Sequence, residues 1–593
     1  MGLPDANPSS SGWTHYSKVS DLGGFVFSTS SDDNSNSLRT TLRCCYVSFY
    51  PGKQLQFTYG IAASQQEHQT VLNINMKMEA KSSNLSMLLL LLLIVNSPVP
   101  TYQAESPTSP VSKFDSSYFP PGFFWGTATS AYQTEGEANS KGRGPSIWDT
   151  FTHTFPERID DRSNGDVATN SYNLYKDDLK KMNENLGMNA FRFSLSWSRI
   201  IPSGKLSKGV NEEGIDFYNR LINESLQNGL VPFATIFHWD VPQGLEDEYG
   251  GFLSPKIVSD YKDYAKVCFE RFGDRVKHWI TINEPYVFTV HGYDGGDLAP
   301  GRCSSWVNKA CRAGNSAVEP YIVGHHVLLA HAAGVQAYKE KGQNGKIGIT
   351  LDVTWPEPYS TSAADRAAAQ RNLDFSYGWF MEPLTYGYYP KIMRTLIGNR
   401  LPYFTKQQAL LLKGSADFIG LNYYTSNFAS ANVTPDPDPT HIRFATESAV
   451  NLTKFRDGKP IGLQASPSWL YIFPEGIRYV LNYTKDRYND PVLYITENGI
   501  GNDKNGRKDL MRIKYFEDHI WNVLRSICEH KVNVKGYFAW SFLDNFEWAN
   551  GYTVKMGIYD VDRSTMIRYP KLSVGWFKKF LENKNSTAGP KCH

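Results

Sequence analysis

Short β-rich runs that alternate with helix-length segments constrain the fold of this chain more than any other feature. The clearest helical intervals are residues 254–272 and 512–529. Strands that alternate with helices of this length are typical of a parallel sheet with crossover connections. The alternation continues to the end of the chain without a solenoid repeat, so it predicts one α/β domain, a single (β/α)8 barrel with long βα loops. The strand-like runs span residues 191–196, 231–238, 346–351, 418–424, 492–497 and 534–541.

Two glutamates stand where such strands end. Glu284 precedes Pro285, and Glu497 precedes Asn498-Gly499, so a turn signal follows each carboxylate at once. Because catalytic side chains of a parallel barrel project from the C-terminal ends of its strands, both carboxylates are expected to face one cleft. A carboxylate pair across a cleft can cleave a glycosidic bond. Either glutamate alone would more often be a solvated strand end or a helix cap.

The motifs around these glutamates, taken in order, resemble those of family 1 glycoside hydrolases, and of plant β-glucosidases in particular. The resemblance runs from Phe114 to about Phe580 and implies a TIM barrel that works as a retaining β-glucosidase without a metal or another cofactor. The matching segments are residues 123–136, 191–199, 238–240, 281–285, 422–424, 494–499 and 540–548, with 299–304 and 314–321 as marks of the plant enzymes.

The resemblance also assigns the catalytic roles. It implies that Glu497 is the nucleophile and Glu284 the acid/base of a double displacement, with their carboxyl groups ~5–5.5 Å apart. Arg192 and Tyr424 match family positions that contact the nucleophile, where a cation and a phenol donor would hold it ionised and oriented. In the competing interpretation Arg192 is only an inner-barrel ion-pair partner.

A substrate site follows from the same resemblance. Trp540 matches the platform on which the sugar stacks, and Trp469 matches an aromatic residue that faces the aglycone, with His291 and Leu298 on the opposite wall. Met556 stands where the family usually has an aromatic residue, and Ala549 where some relatives are bulky, so the region around the sugar 6-hydroxyl departs from the pattern. The residues implied to bind the sugar hydroxyls are Gln133, His238, Asn283, Tyr424, Glu547 and Trp548.

The predicted substrates are O-β-D-glucosides of hydrophobic or aromatic plant aglycones. The alternatives on the same residues are a transglucosidase and a hydrolase of 6-O-glycosylglucosides that releases a disaccharide. A thioglucosidase is disfavoured because relatives of that kind typically lack the acid/base glutamate. An inactive sugar-binding relative is disfavoured because the catalytic pair and the hydroxyl-binding set are both present.

The first hundred residues differ in composition from the rest. Residues 1–75 are rich in Ser, Thr, Asn and Gln and show no clear periodicity, so we interpret them as a disordered or non-native extension. The apolar run at 87–95 is too short to span a bilayer and fits the core of a secretory signal peptide, which we predict at 76–104. The hydrolase domain is then 105–593. Acidic residues near the start argue against a plastid transit segment, the competing interpretation.

A signal peptide predicts entry into the secretory pathway, ending in the vacuole or the apoplast. The formal charge of +2 gives no reason to expect a nucleic-acid partner or stable membrane association, so the expected partner is a small glycoside, and a homo-oligomer stays an option. The resemblance implies a disulfide between Cys303 and Cys311, with metal binding as the competing idea, whereas Cys268 and Cys528 are predicted to be buried thiols. The predicted N-glycosylation acceptors are Asn223, Asn432, Asn451, Asn482 and Asn585.

Overall fold

The computed structural model describes residues 41–50, 54–63, 114–434, 436–501 and 506–584. The chain forms two compact units, Met1–Pro110 and Val111–His593. The described part of the first unit is an antiparallel hairpin, which lies in a segment for which the sequence predicted no regular structure. The other predictions for residues 1–75, and the signal peptide at 76–104, lie outside the described residues.

The strands are numbered in chain order through both units. They are β1 Thr41–Tyr50, β2 Gln54–Ala63, β3 Phe124–Ala128, β4 Ala190–Ser194, β5 Val231–Phe237, β6 His278–Asn283, β7 Lys346–Asp352, β8 Trp355–Pro358, β9 Phe418–Asn422, β10 Ser426–Ser430, β11 Asn451–Thr453, β12 Phe455–Arg456, β13 Lys459–Pro460, β14 Leu463–Gln464, β15 Tyr471–Ile472, β16 Leu493–Asn498, β17 Val534–Ala539, β18 Tyr559–Val561 and β19 Arg568–Pro570.

The α-helices of the second unit connect and surround the strands of that unit. They are α1 Ala131–Thr134, α2 Ile147–Thr154, α3 Ser171–Glu184, α4 Trp197–Ile200, α5 Glu212–Gln227, α6 Gln243–Tyr249, α7 Lys256–Phe272, α8 Pro285–Val290, α9 Glu319–Glu340, α10 Ala363–Phe375, α11 Tyr377–Tyr386, α12 Lys391–Ile397, α13 Lys406–Leu412, α14 Phe444–Glu447, α15 Glu475–Arg487, α16 Leu510–Glu529 and α17 Leu572–Phe580.

Eight parallel strands close into a barrel in the order β3-β4-β5-β6-β7-β9-β16-β17, and β17 pairs with β3. The predicted (β/α)8 fold is therefore confirmed. Each strand-like run in the sequence lies on a barrel strand, and the two helical intervals became α7 and α16. The long connections also contain small sheets, such as β11-β10-β8, which the sequence did not predict.

Large side chains fill the lower interior of the barrel. Phe233 contacts Phe538 edge to face with ring centroids 4.8 Å apart, and Tyr494 lies 5.0 Å from Phe418. The barrel is consequently a packed core rather than a pore, and space for a substrate remains only at the C-terminal strand ends. Among the described residues, no helix is both long enough and apolar enough to cross a membrane.

The described cysteines of the second unit include disulfide-bonded residues and a free thiol. Cys303 and Cys311 form a disulfide in the long connection after β6, which is the pairing that the resemblance implied. Cys268 is a free, buried thiol on α7, as predicted. The prediction for Cys528 is wrong because it is disulfide-bonded. Its position on a helix could be inferred from local sequence, but a covalent partner distant in sequence could not.

Candidate active site

The two glutamates lie at the C-terminal ends of β6 and β16, which are separated in the barrel by β7 and β9. Glu284 follows β6 directly in a left-handed backbone conformation, with φ 46° and ψ 65°, and its N–H donates to the Thr350 carbonyl at 2.9 Å. Glu497 is the next-to-last residue of β16. Both side chains are buried, with 6% and 4% exposure. Arg192 donates both to Glu497 and to Asn283, the residue directly before Glu284, so the fold brings the pair together.

Glu497 is held by two donors of different kinds. The Arg192 guanidinium on β4 donates to Oε1 at 2.5 Å, and the Tyr424 hydroxyl donates to Oε2 at 2.6 Å. Burial and the charges of Glu497 and Glu284 raise the pKa of Tyr424 well above its usual value, so the phenol keeps its proton. Both oxygens of Glu497 therefore accept a hydrogen bond, and the one from Arg192 is charge-assisted.

Glu284 has the opposite environment. Burial raises its pKa well above the usual value, and the charges of Glu497 and Asp352 raise it further. Asn422 donates to Oε1 at 2.6 Å and partly opposes this shift. These shifts favour the protonated form of the Glu284 carboxyl group, and Asn422 fixes its orientation.

A chain of polar contacts connects the pair to the next wall of the cleft. Arg192 also donates to the Asn283 Oδ1 at 2.6 Å, and the Asn283 amide lies 3.1 Å from the His238 Nε2. Trp239 donates to the Asn283 carbonyl at 2.9 Å. Burial and the nearby Arg192 charge lower the pKa of His238 well below its usual value, so the imidazole is neutral. Asn283 and His238 thus present a fixed polar edge beside the carboxylates.

Gln133 is fixed in place by the connection that follows β17. Its amide nitrogen donates to the Asn545 Oδ1 at 3.0 Å and to the Phe546 carbonyl at 2.9 Å, and its oxygen accepts from Ser130 at 2.6 Å. Gln133 is fully buried. These bonds orient the amide at the deep end of the cleft.

Glu547 belongs to the same connection. Its Oε2 is buried and has no hydrogen-bond partner within the protein. Burial and the Glu497 charge raise its pKa to about 8, whereas a hydrogen bond with Trp540 lowers it. An unpartnered carboxyl oxygen at this point can accept from a ligand hydroxyl.

Aromatic rings form two sides of the site. His238 stacks between Trp540 and Trp548, with ring centroids 6.1 Å and 5.9 Å away. Met556 is buried with Trp540, where it fills the apolar space of the aromatic residue that the family pattern led us to expect. The pyranose C–H face of a sugar can pack on such rings while its hydroxyls bind the polar edge.

The outer part of the cleft is more open. Trp469 is 49% exposed. It packs edge to face with Tyr424, with the two ring centroids 6.2 Å apart. His291 follows α8 and contacts Asp297 at 2.8 Å, and Leu298 is half-buried in the same connection. These residues lie on long βα loops, whereas the deep site is built on strand ends.

Two residues near the pair had no role in the sequence analysis. Asn422, quoted there only as part of a motif, is the amide that binds Glu284. Asp352 lies one residue beyond the predicted strand 346–351 and ends β7. The signal that could have found both is the rule that polar residues at the C-terminal end of a barrel strand face the cleft.

Three predicted glycosylation acceptors are exposed on the surface. These are Asn223, Asn432 and Asn451, whereas Asn482 is half-buried on α15. Asn585 lies outside the described residues.

Known proteins match this chain over its barrel unit. Residues 115–586 match the family model described as glycosyl hydrolase family 1. Beta-glucosidase 12 of Oryza sativa subsp. indica is 56% identical over 474 residues, 78% of this chain and 92% of the rice protein. Raucaffricine-O-beta-D-glucosidase of Rauvolfia serpentina is 52% identical over 494 residues, 78% of this chain and 91% of that protein. A crystal structure of a rice beta-glucosidase has a TM-score of 0.77 at 47% identity, covering 79% of this chain and 100% of that chain.

Proposed function

The chain belongs to glycosyl hydrolase family 1, and from that membership we propose that it is a retaining β-glucosidase acting on glucosides of hydrophobic or aromatic aglycones. The observation that carries the proposal is the contrast between its two buried glutamates. Glu497 accepts from Arg192 and Tyr424, whereas the pKa of Glu284 is raised by burial and by the Glu497 charge. One carboxylate and one carboxylic acid in a single cleft are what double displacement requires.

In the first step Glu497 attacks the anomeric carbon while Glu284 gives its proton to the departing aglycone oxygen. The bond to the aglycone breaks and an ester bond between the sugar and Glu497 forms. This step removes the negative charge of Glu497. Because that charge raises the pKa of Glu284, its loss lowers the pKa at the moment when Glu284 must become a base.

In the second step Glu284 takes a proton from water, which attacks the anomeric carbon from the side that the aglycone has left. The ester bond breaks and Glu497 is released as a carboxylate. Asn422 donates to Glu284 throughout, and this donor favours the ionised form that the second step needs. Two inversions at the same carbon give net retention of the β-configuration.

The deep residues are suited to a gluco-configured sugar. Asn283 accepts from Arg192, the guanidinium that also contacts the nucleophile. At this point Asn283 would bind the sugar 2-hydroxyl, whose hydrogen bonds strengthen in the transition state. Gln133, His238 and Trp548 would bind the hydroxyls farther along the ring, and Glu547 would accept from the 4- and 6-hydroxyls through its unpartnered oxygen. Trp540 would lie against the apolar face of the ring.

A hydrophobic aglycone fits the outer cleft. The half-exposed Trp469 ring would cover a flat or apolar leaving group, and Leu298 supplies apolar surface on the opposite wall. Water expelled from these surfaces on binding gives the affinity.

The decisive experiment is hydrolysis of 4-nitrophenyl β-D-glucoside followed by proton NMR. We expect rapid release of nitrophenol with β-glucose as the first product, which then mutarotates. Initial release of α-glucose, or no turnover of any β-glucoside in a screen of plant glycosides, would contradict the proposal. Adding alcohol acceptors to the same reaction measures the share of transglucosylation.

A second substrate class is favoured by Ala549. This small, half-buried residue follows Trp548 and lies two positions from Glu547. A small side chain here would leave room beside the 6-hydroxyl for a 6-O-linked sugar, so the enzyme would release an intact disaccharide from such glycosides. The test compares kcat/KM for a glucoside and its 6-O-xylosyl analogue in the wild type and in Ala549→Phe. A wild type that does not turn over the analogue rules this class out.

We further propose that the enzyme enters the secretory pathway. The exposed acceptors Asn223, Asn432 and Asn451 support this, as does the disulfide between Cys303 and Cys311, because such bonds persist in oxidising compartments. N-terminal sequencing of the mature protein from plant tissue tests the proposal. A first residue before Met76 would exclude cleavage of the predicted signal peptide.

A further inference from the structure

Asp352 is a carboxyl group in the cleft that the proposed mechanism does not use. It ends β7, between the strand that leads to Glu284 and the strand that ends in Asn422. Asp352 is paired in register with Asn422, whose side chain points into the cleft and binds Glu284. Residues paired across adjacent parallel strands point to the same face, so Asp352 also faces the cleft.

The contacts of Asp352 place it on the leaving-group side. Backbone amides, including that of Val287 on α8, lower its pKa, as does the neighbouring His291. The Asp352 charge in turn raises the pKa of Glu284. The carboxyl group therefore lies among the acid/base, the start of α8 and the outer wall that carries His291. A group bound there touches the aglycone rather than the sugar, because Glu284 protonates the oxygen that joins the two.

One oxygen of Asp352 has no partner. Its Oδ1 is buried and accepts no hydrogen bond from the protein, and Asp352 forms no ion pair within the described part of the chain. The nearby cations are already engaged, because Arg192 binds Glu497 and Asn283, and His291 contacts Asp297. Burial raises the pKa of Asp352 to about 7, and the backbone amides and His291 only partly oppose this shift.

The cleft as a whole has an excess of carboxyl groups. Glu284, Asp352, Glu497 and Glu547 face it, whereas the Arg192 guanidinium contacts only Glu497 among these four. The neutral His238 adds no positive charge. A ligand that carries a cation beside Asp352 would therefore gain an ion pair and would satisfy the unpartnered oxygen.

We propose that Asp352 is a specificity-determining residue whose carboxylate binds a protonated amine on the aglycone, beside the oxygen that Glu284 protonates. This inference rests on the proposed β-glucosidase function and names a substrate class for it, glucosides of basic amines. A neutral hydroxyl donor on the aglycone would bind the same oxygen more weakly, because a hydrogen bond between two charged groups is stronger.

The test uses matched substrates. Aminomethylphenyl β-D-glucosides, substituted at the ortho, meta or para position, are each compared with the methylphenyl glucoside of the same pattern. In Asp352→Asn, the ratio of kcat/KM for the amine over its neutral partner should fall about tenfold or more for at least one pattern. The ratio of the two kcat/KM values is decisive because both substrates use Glu284 as the acid/base. A change in the pKa of Glu284 affects both values equally and therefore leaves their ratio unchanged.

Glu357→Gln is the control variant. Glu357 is half-buried, lies five residues further along the same connection and accepts from the Trp355 indole at 3.0 Å, so the variant removes a charge without exposing the cleft. Its substrate ratio should equal that of the wild type. An unchanged ratio in Asp352→Asn, or an equal loss on both substrates, would overturn the inference.

Failure of the proposed function would look different. A wild type that hydrolyses neither these substrates nor 4-nitrophenyl β-D-glucoside is not a β-glucosidase at all. If Asp352→Asn does not fold, inhibition of the wild type decides: aminomethylphenols should inhibit more strongly than the corresponding methylphenols. Equal or weaker inhibition by the amines would also overturn the inference.

Discussion

Glu284 and Glu497 have the same side chain, yet their neighbours prepare them for opposite tasks. Arg192 and Tyr424 bind the oxygens of Glu497, so its charge is stabilised by direct donors. Glu284 has a single amide donor from Asn422 and is otherwise buried beside other carboxylates, which raises its pKa. The division of labour therefore comes from hydrogen-bond partners rather than from burial, which is similar for both.

Replacing Glu284 with Gln should affect substrates unequally. Loss of the proton donor should reduce the glycosylation rate by about 10²–10⁴-fold for glucosides with basic leaving groups and much less for dinitrophenyl glucosides. Azide should restore turnover of the activated substrates and give β-glucosyl azide, because that anion needs no general base. Steady-state kinetics with and without azide measure both effects. Equal losses on all substrates without azide rescue would argue against an acid/base role.

Replacing Asn422 with Ala should raise the pKa of Glu284 further. The Asn422 amide favours the ionised form of Glu284, so its removal should move the alkaline limb of the kcat/KM profile to higher pH. We also expect kcat to fall about tenfold, because the base form needed in the second step becomes less stable and less well oriented. A limb that moves to lower pH would contradict the assigned contact.

At the scale of elements, the last helix is attached to the barrel by a buried ion pair. Lys571, directly before α17, is 3% exposed and donates to the Asp544 Oδ1 and to the Gly557 carbonyl, both at 2.7 Å. Asp544 lies in the connection after β17 that also carries Glu547 and Trp548. The helix thereby supports the connection that forms the deep end of the cleft.

Lys571→Met should destabilise the protein by about 3–5 kcal/mol, because it leaves the Asp544 carboxylate buried without its cation. Chemical denaturation measures the loss, and KM for glucosides should rise because the supported connection carries the sugar-binding residues. Lys579→Met is the matched control, since Lys579 is exposed on the same helix. A similar stability for both variants would show that the pair contributes little.

At the scale of the whole molecule, the barrel buries carboxyl groups that an unfolded chain would leave in water. Burial raises the pKa of Asp240 and of Glu547 to about 8 and that of Asp352 to about 7. Each folded-state pKa is above the unfolded value. The stabilisation from these groups is therefore complete below about pH 4 and is lost as the pH rises through 7–8.

The free energy of unfolding should consequently decrease between pH 5 and pH 8, with each group contributing up to about 1.4 kcal/mol per pH unit until the pH reaches its folded-state pKa. Thermal unfolding across this range measures the slope. Asp240→Asn should flatten it, because one of the buried groups no longer ionises, and the exposed Asp216→Asn should leave it unchanged. A melting temperature that rises from pH 5 to pH 8 would contradict this account.

Local sequence determined the fold class and predicted the pair of glutamates proposed to be catalytic. Strand-like runs alternate with helical intervals, and this periodicity depends only on which residues can be buried along one segment. Glu284 and Glu497 were found because a carboxylate before a turn signal marks the end of a strand. The aromatic residues and the hydroxyl-binding set followed from a resemblance in motif order. In the structure the Asn283 amide lies beside His238, and Gln133 donates to Asn545.

Tertiary structure decided everything that depends on contacts between distant segments. Asn422 became the partner of Glu284, Asp352 became a third carboxyl group beside it, and Cys528 entered a disulfide, although no local pattern distinguished these residues. The donors around each glutamate distinguish the two, and these donors meet only when eight strands close into the barrel. Hydrogen bonds and pKa shifts act over a few ångströms in space, so positions far apart in the chain determine the chemistry of the site only once the barrel has formed.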